Sequence, residues 1–257
     1  MNIDLLKVFD DRDYASMALE LREKYATASP FSHIVIDNFL PAQIANALGD
    51  AYPTPELASS TALKTHSNEN VERSFIENVE FLPDDLRLFS AAATSRNFLL
   101  FLETLTGIES LLPDPYFIGG GAMMTGRGGH LNIHADFNWH HKLQAWRRVN
   151  ALIYLTPDWK EEWMGDLELW STDGKTKVQS VSPKFNRCVI FTTTSESFHG
   201  QPTKLQCPPG VFRKVFSLFY YSTKRDPATL EDPHFTKYAT TNSPYSDSLL
   251  KDYKAKS

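Results

Sequence analysis

Hydrophobic and polar positions change rhythm once along this chain. In the first part, "DYASMALELREKYA" repeats apolar residues at helical spacing, and "PAQIANALGDAY" opens with Pro41, which a first helical turn tolerates. Between them, "SHIVIDNFL" is a short β-branched run that reads as a strand. Residues 55–82 are polar and irregular. Helical periodicity resumes in "PDDLRLFSAAATSRNFLLFLETLTG", where Asp84 or Asp85, and then Ser95, supply N-caps and Gly107 a stop. After Pro113 the period shortens. "YFIGGGAMM", "HLNIHAD", "VNALIYL", "GDLELWS", "KVQSVS", "RCVIFTTT" and "KVFSLFYYS" are short strand-like runs punctuated by turn residues, with no helical pattern between them. Such a series predicts an antiparallel sandwich or barrel rather than a parallel sheet. The expected fold class is mainly β with an N-terminal α elaboration, its helices packed on a C-terminal barrel.

Composition narrows the class. At 257 residues and 42% hydrophobic, the chain suffices for one sizeable core, so a single domain over 1–257 is expected. Within it, 1–112 forms the mostly helical elaboration, 113–222 the β core and 223–257 a tail. A formal net charge of -5 lacks the basic excess of nucleic-acid binding. "MNIDLLKVFDDRDY" is acidic where a signal peptide is basic, and "NFLLFLETLTGIESLL", the most apolar stretch, is interrupted by glutamates, so neither secretion nor a membrane span is expected. Cys188 and Cys207 offer no disulfide framework and no Cys-x-x-Cys pair. A cytoplasmic protein is the expectation, and any metal site must be built from His and carboxylate. The charged, Ser/Thr/Pro-bearing tail is compatible with wrapping the barrel, covering a site or remaining disordered.

Candidate chemistry concentrates in "GGHLNIHADFNWHH", which holds four of the eight histidines. Residues two apart on a strand share a face, so His134 and Asp136 present an imidazole and a carboxylate side by side, roughly 7 Å apart at Cα. His199, directly after "RCVIFTTT", is the best-placed third ligand. Two histidines and one carboxylate leave open positions on a metal, the arrangement of non-haem Fe(II) oxygenases, though zinc enzymes use the same ligand types. Downstream, Arg213, Val215, Ser217 and Phe219 share one strand face. A buried arginine there needs an anion, and a carboxylate arriving with a ligand fits its planar fork.

These residues carry a resemblance. From about Thr125 to Ser222, "TGRGGHLNIHAD", "RRVNALIYLTPDW", "GDLELW", "FNRCVIFTTTSESFH" and "RKVFSLFYY" follow, in order, the motifs of the Fe(II)/2-oxoglutarate-dependent dioxygenases, prolyl 4-hydroxylase-like branch. The first 110 residues lie outside the resemblance. It implies a double-stranded β-helix, or jelly roll, with His134, Asp136 and His199 as iron ligands. It makes Arg213 the partner of the distal carboxylate of 2-oxoglutarate, Tyr154 a hydrogen-bond donor to that cosubstrate and Ser217 a hydroxyl beside the arginine. Fe(II), 2-oxoglutarate and O2 are the implied cofactor and cosubstrates, with ascorbate as a reductant. Hydroxylation of an unactivated C–H bond, with release of succinate and CO2, is the implied reaction. Halogenating members of the family carry a small residue in place of the carboxylate, so Asp136 points to hydroxylation. Thr125 stands where the branch often has an aromatic residue, and the loop "FNWHHKLQAWRR" is longer than in protein prolyl hydroxylases.

Strand parity places His130 and Asn132 with His134, on the substrate side, and Trp139 and Trp170 are further candidates for a pocket wall. His140 and His141 read as loop residues on the surface. The long aromatic loop and the tail favour a small-molecule or amino-acid-like substrate, with peptidyl-prolyl hydroxylation as the alternative. From other classes, a non-catalytic binding module on the same barrel would need no intact ligand set, and a zinc-dependent hydrolase would leave Arg213 without its partner.

Overall fold

The computed structural model describes residues 5–10, 13–56, 58, 61–224 and 231–239. Its helices are α1 (Tyr14–Ala26), α2 (Ala42–Ala51), α3 (Asp84–Ala93) and α4 (Arg96–Thr106). Its strands are β1 (His33–Ile36), β2 (Lys64–Ser67), β3 (Val71–Ile76), β4 (Leu112–Pro113), β5 (Gly121–Thr125), β6 (His130–Ala135), β7 (Trp139–His140), β8 (Ala145–Tyr154), β9 (Leu167–Trp170), β10 (Lys177–Val181), β11 (Cys188–Thr192), β12 (His199–Gln201), β13 (Arg213–Ser222) and β14 (Lys237–Tyr238). Every strand predicted after Pro113 is present, and all pairings between described strands are antiparallel.

The sheet runs β1-β11-β8-β13-β5-β3-β6-β12-β9-β10 and curls on itself as a double-stranded β-helix. The turn of the curl is β3. Its C-terminal half pairs with β5 through Ser74–Met124, Phe75–Met123 and Ile76–Ala122, whereas Val71 and Glu72 pair with Leu131 and His130 of β6. Residues 55–82, read from the sequence as irregular, therefore contain a hairpin that joins the two halves of the barrel. Gly121 opens β5 at this crowded point. Its φ is +91°, and a Cβ there would lie 2.3 Å from the Ile76 carbonyl oxygen.

Alternation along β13 and β8 divides the interior in two. Phe216, Leu218 and Tyr220 of β13, with Val149, Ala151 and Ile153 of β8, face the helices and join Phe98, Phe101, Leu102 and Leu105 of α4 in the larger core. The intervening residues face the barrel lumen. Tyr220 ties the two layers by donating its hydroxyl to the Ala93 carbonyl at 2.9 Å. A fully buried aliphatic or aromatic side chain contributes about 1.5–3 kcal/mol, so α4 is held mainly by this face.

Caps follow the sequence in part. The Ser95 side chain caps α4, and Gly107 ends it at φ 72°. Asp13 caps α1 through the Ser16 amide. Pro41 and Pro83, however, occupy the N-cap positions of α2 and α3 themselves, one residue earlier than expected for Pro41, and Asp84 and Asp85 sit in the first turn of α3. There they face the positive end of the helix dipole rather than capping an amide. Among the described residues, no helix is long and apolar enough to cross a membrane.

Candidate active site

Luminal faces of β13, β8 and β5 on one side, and of β6, β12 and β9 on the other, enclose a cavity of about 390 Å³. Arg213, Val215, Ser217 and Phe219 all line it, as the period-two reading of β13 requires. His134 on β6 and His199 on β12 are direct cross-strand partners. Asp136 follows the end of β6. One ligand atom from each of His134, Asp136 and His199 lies within 4.8 Å of the others, and all three residues are buried.

The protonation pattern of this triad is fixed by its neighbours. His134 Nδ1 lies 2.8 Å from the Asn132 carbonyl, and His199 Nδ1 lies 2.8 Å from the Ser197 carbonyl. A carbonyl only accepts, so each Nδ1 carries a proton, and the neutral form of each ring then presents its lone pair at Nε2. Those lone pairs face Asp136, at 3.3 Å from Oδ1 for His134 and 3.6 Å from Oδ2 for His199. Three electron-rich atoms converging at such distances call for a cation among them, and backbone acceptors on the remote ring nitrogens are the usual outer support of metal-binding histidines. Burial lowers the His199 pKa to about 4, against the opposing pull of Asp136, so this imidazole is neutral at neutral pH.

Asp136 is kept ionised by its own partners. Burial alone would raise its pKa, but the charge of the adjacent Arg147 holds it well below the ordinary carboxylate range. Arg147 donates to Oδ2 at 2.9 Å, and Asn150 Nδ2 donates to the same oxygen at 2.8 Å. Arg147 Nε in turn bonds Asn150 Oδ1 at 2.9 Å, and its guanidinium rests 3.5 Å from the Phe219 ring centroid. This bracket fixes the carboxylate orientation. Neither Arg147 nor Asn150 has a local motif, and their meeting with Asp136 is a product of the β7–β8 hairpin.

On the far side of the cavity, Arg213 NH2 donates to the Tyr154 hydroxyl at 3.3 Å, and Arg213 Nε is buried without a hydrogen-bond partner among the described residues. Tyr154 is fully buried on the same face of β8 as Asn150 and Leu152. Ser217 lies two residues beyond Val215, on the same wall.

Other predicted positions do not reach the cavity. Between His134–His199 and Leu131–Gln201, β6 advances three residues while β12 advances two, so a bulge interrupts the alternation. Leu131, not Asn132, therefore lines the lumen. His130 and Asn132 turn outward to the β2–β3 turn, where both lie against the Glu69 carbonyl and Asn132 also bonds Asn70. Trp170 faces away from the lumen on β9 and donates to Glu168 at 2.9 Å. Trp139 packs on Trp146 and borders a separate, smaller hollow with Phe137 and Phe235. His140 is not a surface residue: it is 1% exposed, lies 3.2 Å from Asp114 and accepts the Leu143 amide. Part of the tail reaches the site. Lys237 and Tyr238 pair with Ala135 and His134, and Thr236 and Tyr238 border the cavity.

An antiparallel β-helix enclosing two histidines, a carboxylate and a facing buried arginine offers the donor set of a facial metal triad, with a cation across the same cavity. Residues 120–221 match the family model of the 2OG-Fe(II) oxygenase superfamily. A mouse protein named prolyl 3-hydroxylase OGFOD1 is 30% identical over 91 residues, which span 34% of this chain and 16% of the mouse protein. A prolyl hydroxylase from Trichoplax adhaerens, solved with a hypoxia inducible factor peptide fragment, superposes with a TM-score of 0.54 at 16% identity, covering 87% of this chain and 99% of that one. HygX from Streptomyces hygroscopicus, solved with nickel, 2-oxoglutarate and hygromycin B, gives 0.53 at 13% identity over 84% of this chain and 96% of that one. These two likenesses show a shared fold. The family's iron and 2-oxoglutarate fit the convergent lone pairs and the unpartnered Nε described above.

Proposed function

We propose that the protein is an iron- and 2-oxoglutarate-dependent dioxygenase that hydroxylates an unactivated C–H bond of a small, amino-acid-like molecule, with release of succinate and CO2. The observation that carries this reading is the placement of the His134–Asp136–His199 triad and the partnerless Arg213 Nε on opposite walls of one cavity. Iron, the keto acid and dioxygen supply the oxidising chemistry when bound; the chain supplies positions and charges. His134 and His199 offer Nε2 lone pairs, and Asp136 offers an ionised oxygen oriented by Arg147 and Asn150. Arg213 grips the distal carboxylate of 2-oxoglutarate through its fork, and Tyr154 and Ser217 complete that pocket with hydroxyls. Tyr154 also stacks beneath the guanidinium, 5.0 Å from ring centroid to Cζ, which holds the fork in one plane. The tail strand at the cavity mouth, with Tyr238 5.7 Å from the His134 ring, supports a covered pocket and hence a small substrate.

A second reading, hydroxylation of a prolyl residue in a protein, is favoured by the names of the mouse relative and of the Trichoplax neighbour. Purified protein with Fe(II), ascorbate and 2-oxoglutarate should form succinate, and Arg213→Ala should require far more keto acid. Succinate formation stimulated by proline-containing peptides but by no free amino acid would select the second reading. No succinate at any iron loading, with zinc retained tightly instead, would overturn both.

A further inference from the structure

A second arginine in the cavity lies outside the set assigned above. Arg73 is on β3, one step past the Ser74–Met124 pair, where that strand leaves β5 and before it reaches β6. Continuing the register sets it opposite Thr125, which is itself paired with Arg213. The two arginines therefore stand in one row across the sheet, two strands or roughly 10 Å apart at the backbone, and both border the cavity.

Arg73 Nε is closed off from solvent and has no hydrogen-bond partner among the described residues. The acidic groups around it are engaged elsewhere. Asp136 is bonded to Arg147 and Asn150, and Glu77 is paired with Lys64. Burial lowers the Arg73 pKa, with Asp136 and Tyr238 acting against that shift. Arg73 as a whole is half-buried, and a guanidinium whose Nε is shut from solvent without a direct countercharge gains from a ligand that brings one. The distal carboxylate of the keto acid serves Arg213, so Arg73 requires a second anion. Its surroundings say which. His66, its cross-strand partner on β2, and Tyr238 of the tail both border the cavity on the Arg73 side, where the covering strand β14 lies. A ligand there is enclosed by the tail rather than by the pocket of Arg213, Tyr154 and Ser217.

We propose that Arg73 binds a carboxylate of the primary substrate, which makes that substrate a free carboxylic acid of amino-acid size rather than a residue within a peptide chain. The proposal rests on the oxygenase reading above and specifies its substrate class. A planar guanidinium and a planar carboxylate pair through two parallel hydrogen bonds, so the contact sets orientation as well as affinity. Its position beside the triad would let the contact fix which carbon faces the metal site.

The test uses free L-amino acids and their primary amides as probes, each with saturating 2-oxoglutarate. One readout is succinate above the rate without probe; the other is the melting shift of protein loaded with Mn(II) and 2-oxoglutarate, which needs no turnover. At least one acid should raise both, with its amide at least tenfold weaker. Arg73→Gln should raise the KM for that acid at least tenfold more than the KM for 2-oxoglutarate, and Arg73→Lys should recover part of the loss. Amides as effective as acids would overturn the proposal. So would a larger effect on 2-oxoglutarate than on the acid, or a silent acid panel with protein that still forms succinate. Absence of succinate under every iron loading would instead count against the oxygenase reading, and the acid-against-amide melting shift would then decide the carboxylate site alone.

Discussion

Acidifying the metal-stripped protein tests the electrostatics of the triad directly. His199 is held at about 4 in the folded chain by burial, against a value of 6.5 for a solvated imidazole. Between those two pH values the unfolded chain binds a proton that the folded chain refuses. Stability therefore rises with pH across this window; the His199 contribution is complete above pH 6.5 and is lost as the pH falls towards 4. The difference, 6.5 − 4 = 2.5 units, corresponds to about 3 kcal/mol at roughly 1.36 kcal/mol per unit. Asp136, held below the ordinary carboxylate range, acts in the same direction but only as the pH falls through 3.8, the value of a solvated aspartate. His66 and His140 are lowered as well and form a background common to wild type and variant. Urea unfolding in chelator at pH 7 and at pH 4 measures the sum, and His199→Asn removes one contributor. Wild type should lose about 3 kcal/mol more than the variant over that interval. Parallel losses in the two proteins would refute the assignment of a buried, neutral imidazole at this position.

Arg147→Met should destabilise the metal-free protein by about 3–5 kcal/mol, because it leaves the Asp136 charge buried without its strongest partner; chemical denaturation at pH 7 measures this. Tyr154→Phe should weaken 2-oxoglutarate binding by a few fold, about 1 kcal/mol for one hydrogen bond, read as the KM for succinate formation. A divalent cation such as Mn(II) at a hundred times its Kd should stabilise the folded chain by about 2.7 kcal/mol, and His134→Ala should abolish the corresponding melting shift. Gly121→Ala should cost at least about 2 kcal/mol, since the new Cβ meets backbone at a positive φ, and a melting curve unchanged from wild type would contradict the close packing of β3 on β5.

What was legible in the sequence follows from how each element is stabilised. Strands after Pro113 are flanked by turns and alternate cleanly, so both their existence and the luminal faces of β13 and β8 could be read from period two alone. The strand β3 was missed because "VERSFI" places Glu72, Arg73 and Ser74 in succession, and a strand that lends a polar side to a cavity lacks the apolar rhythm of a core strand. His130 and Asn132 were misplaced by the same rule that placed His134, because a bulge between two registers reverses parity without leaving a mark in composition. His140 was read as exposed because its partner, Asp114, lies 26 residues away. Pairings of that kind are tertiary, and no window along the chain contains them.

The seam strand β3 divides the cavity's provenance along the chain. The residues matched by the family begin at 120, yet the barrel is joined across its curl by residues 71–76, from the part of the chain that the family motifs leave unconstrained. One cavity thus takes its triad from strands inside the matched span and part of its wall from a hairpin outside it. Exchanging that hairpin would therefore reshape this wall of the cavity while leaving His134, Asp136 and His199 in place.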